Sequence, residues 1–177
     1  MIGVLVSGEG SNLQALIDDG LPIAAVASNR PAVRALARAD AAGIPNRVFE
    51  LEAYADRAAR DRDLADWLQL RGVDLVVLAG YMHLLTTVFL DRFAERIVNV
   101  HPSLLPQFPG AYAIDDALAA GVDTTGVTVH YVDEGVDTGG VIRQEPVPVE
   151  PRDTLVERIH AVEHRILPEV VRDLCAR

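Results

Sequence analysis

Asn99 and His101 stand two residues apart in IVNVHPS, alternating with Val98 and Val100. On an extended strand that spacing puts an amide and an imidazole on the same side. Side by side at a strand end, the two can donate hydrogen bonds to an oxygen that gains negative charge during acyl chemistry. A single strand histidine is more often a packed, hydrogen-bonded residue, so it is the pairing that points to catalysis. Downstream, VHYVDEGVDTGG puts Asp133, Glu134 and Asp137 in a glycine-rich loop after a strand. That loop reads either as a solvated acidic turn or as the source of one carboxylate that pairs with His101 and favours its charged form.

Two further motifs carry chemistry. In SGEGSNLQAL, Gly8 and Gly10 allow a tight turn, and Ser11 with Gln14 has the spacing of a capping box at a helix start. Backbone N–H groups at such a start suit one phosphate. The dinucleotide fingerprint needs a third glycine where the chain has Leu13, so NAD and FAD are not expected. HAVEH, from His160 to His164, matches the H-x-x-E-H pattern of inverted zinc peptidases. A zinc site needs further ligands and none is evident nearby, so no metal is expected. The segment reads instead as a helix with an inward-facing Glu163.

These motifs need elements to position them. Strands are predicted over Gly3–Ser7, Ile23–Ala27, Arg47–Glu50, Asp74–Ala79, Ile97–Val100, Val127–Val132 and Val141–Val149. Helices are predicted over Asn12–Asp18, Ala32–Ala42, Ala53–Arg71 (a long polar helix), Gly110–Ala120, and from an Asp153 cap to about Leu174. Leu155, Ile159, Val162, Ile166 and Val170 recur at helical spacing in the last. Alternating β and α units imply an α/β fold, a single Rossmann-like domain over residues 1–177 with a mostly parallel central sheet flanked by helices. Ligands of such sheets gather at the carboxyl ends of strands, where Gly8–Asn12, Gly80–Leu85, Asn99–Gly110 and Asp133–Gly140 all fall.

Composition narrows the chemistry further. The 177 residues carry a formal net charge of −10, which argues against broad nucleic-acid binding. All 16 basic residues are arginine, which rules out a lysine Schiff base or a Walker A lysine. The single Cys175 excludes an internal disulfide. No apolar run approaches the roughly 18–20 residues of a membrane span. MIGVLVSGEG lacks a basic region and a cleavage site, so it is expected to be a first strand rather than a signal peptide, and the protein is expected to be cytoplasmic.

GSNLQAL, SNRP, DLVVLAGYMHLL, NVHPSLLPQFPGA, TGVTVHYVDEGVDTGGVI and EHRILPEVV together resemble the phosphoribosylglycinamide formyltransferase family, within the folate-dependent formyltransferase superfamily. The resemblance covers nearly the whole chain. It implies transfer of a formyl group from the co-substrate 10-formyltetrahydrofolate to a phosphoribosyl-glycinamide amine, with no metal. Asn99, His101 and Asp137 fall at the catalytic trio of the superfamily. Gly10, Ser11, Asn12 and Leu13 would hold the substrate phosphate or ribose, and His160, Ala161, Val162 and Glu163 would line its glycinamide side. Met82, His83, Leu84 and Leu85, with Asn99 and Asp133, Glu134, Gly135, Val136 and Asp137, would wrap the pterin. Arg57 matches a basic position near the folate tail.

Some residues depart from the family pattern. Glu9 adds a negative charge beside the expected phosphate loop, and Tyr112 and Asp115 replace a His and an Arg often found there. Phosphate affinity is what these changes bear on. A formyltetrahydrofolate deformylase shares the trio, but it usually carries an N-terminal regulatory domain and lacks GSNLQ. A methionyl-tRNA formyltransferase would need a basic surface and a C-terminal tRNA-binding domain. A catalytically weak folate-binding module is the alternative from outside the enzymes. The expected partners are small molecules, with no nucleic acid or membrane, and the chain is expected to be a monomer or a homodimer.

Overall fold

The apolar runs form strands in a computed structural model of the chain, which describes residues 1–176. Two compact units divide it, residues 1–98 and residues 99 onward. The first holds β1 (Ile2–Val6), β2 (Ile23–Ser28), β3 (Asn46–Val48) and β4 (Leu75–Leu78). β1 pairs in parallel with β2 and with β4, and β2 pairs in parallel with β3. Parallel neighbours need crossover connections. Here α1 (Ser11–Asp18), α2 (Arg34–Ala41) and α3 (Arg57–Gln69) supply them, and a short α4 (Thr87–Leu90) follows β4. Every residue of β1 is buried, as expected for a strand covered on both faces.

β5 (Ile97–His101) begins in the first unit, where the Val76 N–H donates to the Arg96 carbonyl just ahead of it at 2.8 Å. The second unit continues with α5 (Ala113–Ala120), β6 (Thr124–Tyr131), β7 (Val141–Pro148) and α6 (Leu155–Cys175). β6 and β7 form an antiparallel pair. The strand order β3-β2-β1-β4-β5-β6-β7 is the α/β architecture expected from the alternation of elements. In α6, Leu155, Ile159, Ile166 and Val170 are buried as their spacing predicts, and Pro168 lies inside the helix.

Four helix starts differ from expectation. Ser11 does not cap α1; Gly10 occupies the cap in a left-handed conformation, with φ 74°, and no side chain caps the helix. The capping box is absent too, because the Gln14 amide donates to Asp18 and its carbonyl accepts from Arg38. Glycine is required there: a Cβ on Gly10 would stand 2.6 Å from the Ala35 Cβ and 2.7 Å from its Cα. The predicted helix over 53–71 is a 3-10 turn at Leu51–Ala53 and then α3, which starts only after Asp56 accepts a 2.8 Å bond from the Ala59 N–H. Asp153 lies in a 3-10 turn instead of capping α6, and the helix predicted from Gly110 starts at Ala113.

Candidate active site

β5 delivers Asn99 and His101 to its carboxyl end, and the loop between β6 and β7 delivers Asp137. The three meet. The Asp137 Oδ2 lies 3.4 Å from the His101 Nδ1, and its Oδ1 accepts from the Asn99 amide at 3.4 Å. The Gly110 N–H donates to the Asp137 Oδ2 at 2.8 Å. His101 is buried, and its Nε2 lies 2.8 Å from the Phe108 carbonyl. Both ring nitrogens therefore face oxygen atoms.

His130 on β6 is a fourth member that the sequence reading passed over. Its Nε2 lies 3.3 Å from the Asn99 amide nitrogen and 3.6 Å from the Asp137 Oδ1. Its Nδ1 lies 2.7 Å from the Tyr131 carbonyl, which can only accept, so Nδ1 carries a proton. In VTVHY the residue alternates with apolar neighbours like any strand position, and only strand pairing brings it to Asn99. Burial pushes the Asp137 carboxyl upward, but bonding to His130 and Gly110, with the charges of His101 and His130, outweighs it and holds the pKa at about 2.

The loop carrying Asp137 is tightly folded. Asp133 accepts from the Gly135 N–H at 3.0 Å and from the Thr138 hydroxyl at 2.6 Å, so its carboxylate braces the turn. A Cβ on Gly139 would lie 1.8 Å from the Tyr131 carbonyl oxygen. Asp137 itself has φ 54°, a left-handed value uncommon outside glycine. Asp133, Glu134, Gly135 and Val136 are exposed around it.

The other expected site residues fall into place unevenly. Leu13 is fully buried. Gly10, Ser11 and Asn12 are half-buried, and the Gln14 N–H makes the first bond of α1, to the Gly10 carbonyl. Glu9 pairs with Arg34 at 3.0 Å and Arg38 at 2.8 Å, so its charge is met by two arginines of α2. On α6, Glu163 is buried while His160 and Ala161 are exposed and Val162 is half-buried. The His160 and His164 rings stack 5.9 Å apart, and among the described residues no group of three metal-ligand side chains converges.

After β4, Met82 and Leu84 are exposed, while His83 and Leu85 are half-buried. The Met82 N–H donates to the Ser7 hydroxyl at 2.8 Å, which in turn donates to Asn29 at 2.5 Å. Arg57 is exposed at the first turn of α3.

The family model described as formyl transferase matches residues 1–171. A phosphoribosylglycinamide formyltransferase of Bacillus subtilis is 39% identical over 97% of this chain and 92% of its own length. The trifunctional purine biosynthetic protein adenosine-3 of Drosophila melanogaster is 45% identical over 96% of this chain, which spans only 13% of that protein. Among solved structures, phosphoribosylglycinamide formyltransferase from Streptococcus pneumoniae superposes with a TM-score of 0.94 at 43% identity, covering 98% of this chain and 97% of that one.

Proposed function

The chain belongs to the formyl transferase family, and from that premise we propose that it transfers the formyl group of 10-formyltetrahydrofolate to the amine of 5-phosphoribosyl-glycinamide. The observation that carries this reading is the convergence of Asn99, His101 and His130 on one carboxylate oxygen pair. An amide and an imidazole beside one carboxylate are the kinds of group that acyl chemistry needs at a developing oxyanion.

In the reaction, the neutral amine attacks the formyl carbon to give a tetrahedral intermediate. Asn99 and protonated His101 donate to its oxygen, and Asp137 stabilises the imidazolium. The bond from carbon to the folate nitrogen then breaks, while the proton lost by the amine passes to that nitrogen, through water assisted by Asp137. No covalent enzyme intermediate is involved. Gly10–Leu13 hold the phosphate or ribose through backbone groups, and Glu163 accepts hydrogen bonds from the amine or sugar. Met82–Leu85 and residues 133–137 wrap the pterin, and Arg57 lies toward the folate tail. The enzyme acts in the cytoplasm on small molecules, as a monomer or homodimer.

The test compares formyl transfer to the glycinamide ribonucleotide with hydrolysis of 10-formyltetrahydrofolate alone. Transfer exceeding hydrolysis by orders of magnitude is expected. Hydrolysis that is unaffected by the ribonucleotide would point to a deformylase, and binding of folate without turnover would point to a binding module.

A further inference from the structure

Helix α3 buries a charged pair that formyl transfer does not use. Arg60 and Asp61 are successive residues whose side chains are both fully buried. Ions so placed give up their hydration, a heavy cost unless hydrogen bonds replace it. Here they do. One Asp61 oxygen accepts from the Arg60 Nε at 2.8 Å and Nη2 at 2.6 Å. The other accepts from the Thr86 N–H at 2.6 Å and the Thr86 hydroxyl at 2.8 Å. The Arg60 Nη1 donates to the His83 Nδ1 at 2.7 Å, and Nη2 lies 3.4 Å from the Leu84 carbonyl.

Residues 83, 84 and 86 are thus tied to one ion pair on α3. The segment is held by that pair, while Met82 and Leu84 stay 57% and 55% exposed. The guanidinium also decides the form of the imidazole. It has no acceptor, so the Nδ1 of His83 must accept, and a neutral ring then carries its proton on Nε2. Burial, followed by the charges of Arg60, Arg57 and Arg30, moves His83 below its ordinary titration range against a smaller opposing effect of Glu52. No residue among those described bonds to Nε2, which leaves that N–H for a ligand.

We infer that Arg60 and Asp61 are positioning residues for folate, fixing the 82–85 segment and presenting His83 as a neutral Nε2–H donor to an acceptor atom of the co-substrate. This rests on the assignment of Met82–Leu85 to the folate. Replacing a buried pair with apolar residues of similar volume is often tolerated, whereas removing one partner strands the other charge. The informative variant is therefore Arg60→Met with Asp61→Leu.

It should keep its far-ultraviolet dichroism and a cooperative thermal transition. Its KM for 10-formyltetrahydrofolate should rise ~10-fold, the consequence of losing about one well-placed hydrogen bond. Its KM for the ribonucleotide should stay level, and kcat at saturation should fall far less than the folate KM rises. Folded protein with the original folate KM would overturn the inference. Independently of any variant, side-chain nitrogen NMR on the unsubstituted protein should show the Nε2–H form of His83 at neutral pH, and an Nδ1–H form would overturn the inference even if the double variant did not fold. Met82→Ala with Leu84→Ala separates the premise. An unchanged folate KM there would sink the folate assignment, whereas a raised one beside a normal double variant would sink only the positioning role.

Discussion

The Asp137 carboxylate draws together more donors than any other group in the candidate site, and its consequences divide between rate and stability. His101→Ala and Asp137→Ala should each lower kcat/KM by at least ~100-fold, because each removes a group that acts on charge developing in the transition state. Dichroism of both variants should match the parent, and near-normal turnover in either would remove the trio from the mechanism. Asp137 also links stability to pH. Its folded pKa of about 2 lies below the ordinary 3.8, so ionising it favours the folded state. That contribution is complete above about pH 4 and is lost as pH falls through about 2. Denaturant curves of parent and Asp137→Asn should therefore differ at neutral pH and converge across that interval; a constant gap down to pH 2 would contradict the assigned ion contacts. Glu163 makes the third residue-level case. Glu163→Gln should retain folate binding yet raise the KM for the ribonucleotide, since a charged acceptor becomes a neutral one. Isothermal titration with each ligand separates the two effects.

Among the elements, the junction of β1 and α1 depends on a close approach. Gly10 combines a left-handed φ of 74° with backbone contact against Ala35, so no side chain fits without moving α2. Gly10→Ala should cost roughly 2–4 kcal/mol, from αL strain together with the forced displacement. The expected loss is read from thermal or urea unfolding, and ribonucleotide binding should weaken with it because the proposed phosphate contacts of Gly10–Leu13 lie on the same turn. A variant as stable as the parent would mean that α2 yields freely. Glu9, which sits in that turn, is paired with Arg34 and Arg38, so its charge does not stand alone beside the proposed phosphate. The α3 start follows a different logic: Asp56 stops the preceding turn and takes the Ala59 N–H, which puts Arg60 and Asp61 on the buried side.

For the molecule as a whole, a net charge of −10 must coexist with the proposed recognition of an anionic sugar phosphate and a folate tail. Arginine supplies all 16 formal basic charges, so positive potential rests on guanidinium groups and helix starts. No helix among the described residues is long and apolar enough to cross a membrane. The HAVEH helix places its two histidines one turn apart, with no third ligand beside them among the described residues. Turnover should survive prolonged dialysis against EDTA, with elemental analysis showing no stoichiometric zinc. Loss of activity on chelation, restored by zinc, would reopen the metallohydrolase reading.

What the sequence determined by itself was whatever depends on local periodicity. Buried strands were legible as apolar runs, the shared side of Asn99 and His101 followed from their alternation, and Glu163 lay beside an apolar helical stripe that proved to be buried. The caps were not so legible, because Ser11 and Asp153 have the chemistry to cap a helix but the backbone around Gly10 and the turn at Arg152–Thr154 start the helices elsewhere. The tertiary structure alone decided the longer-range partnerships. His130 reaches Asn99 across 31 residues, and Arg60 reaches His83 across 23. In the sequence, α3 reads as a polar helix, and nothing local says that Arg60 and Asp61 are its buried charges. Their burial becomes affordable only when Thr86 and His83 supply the hydrogen bonds that water would have made, and those partners come from a loop that folding alone brings to the helix.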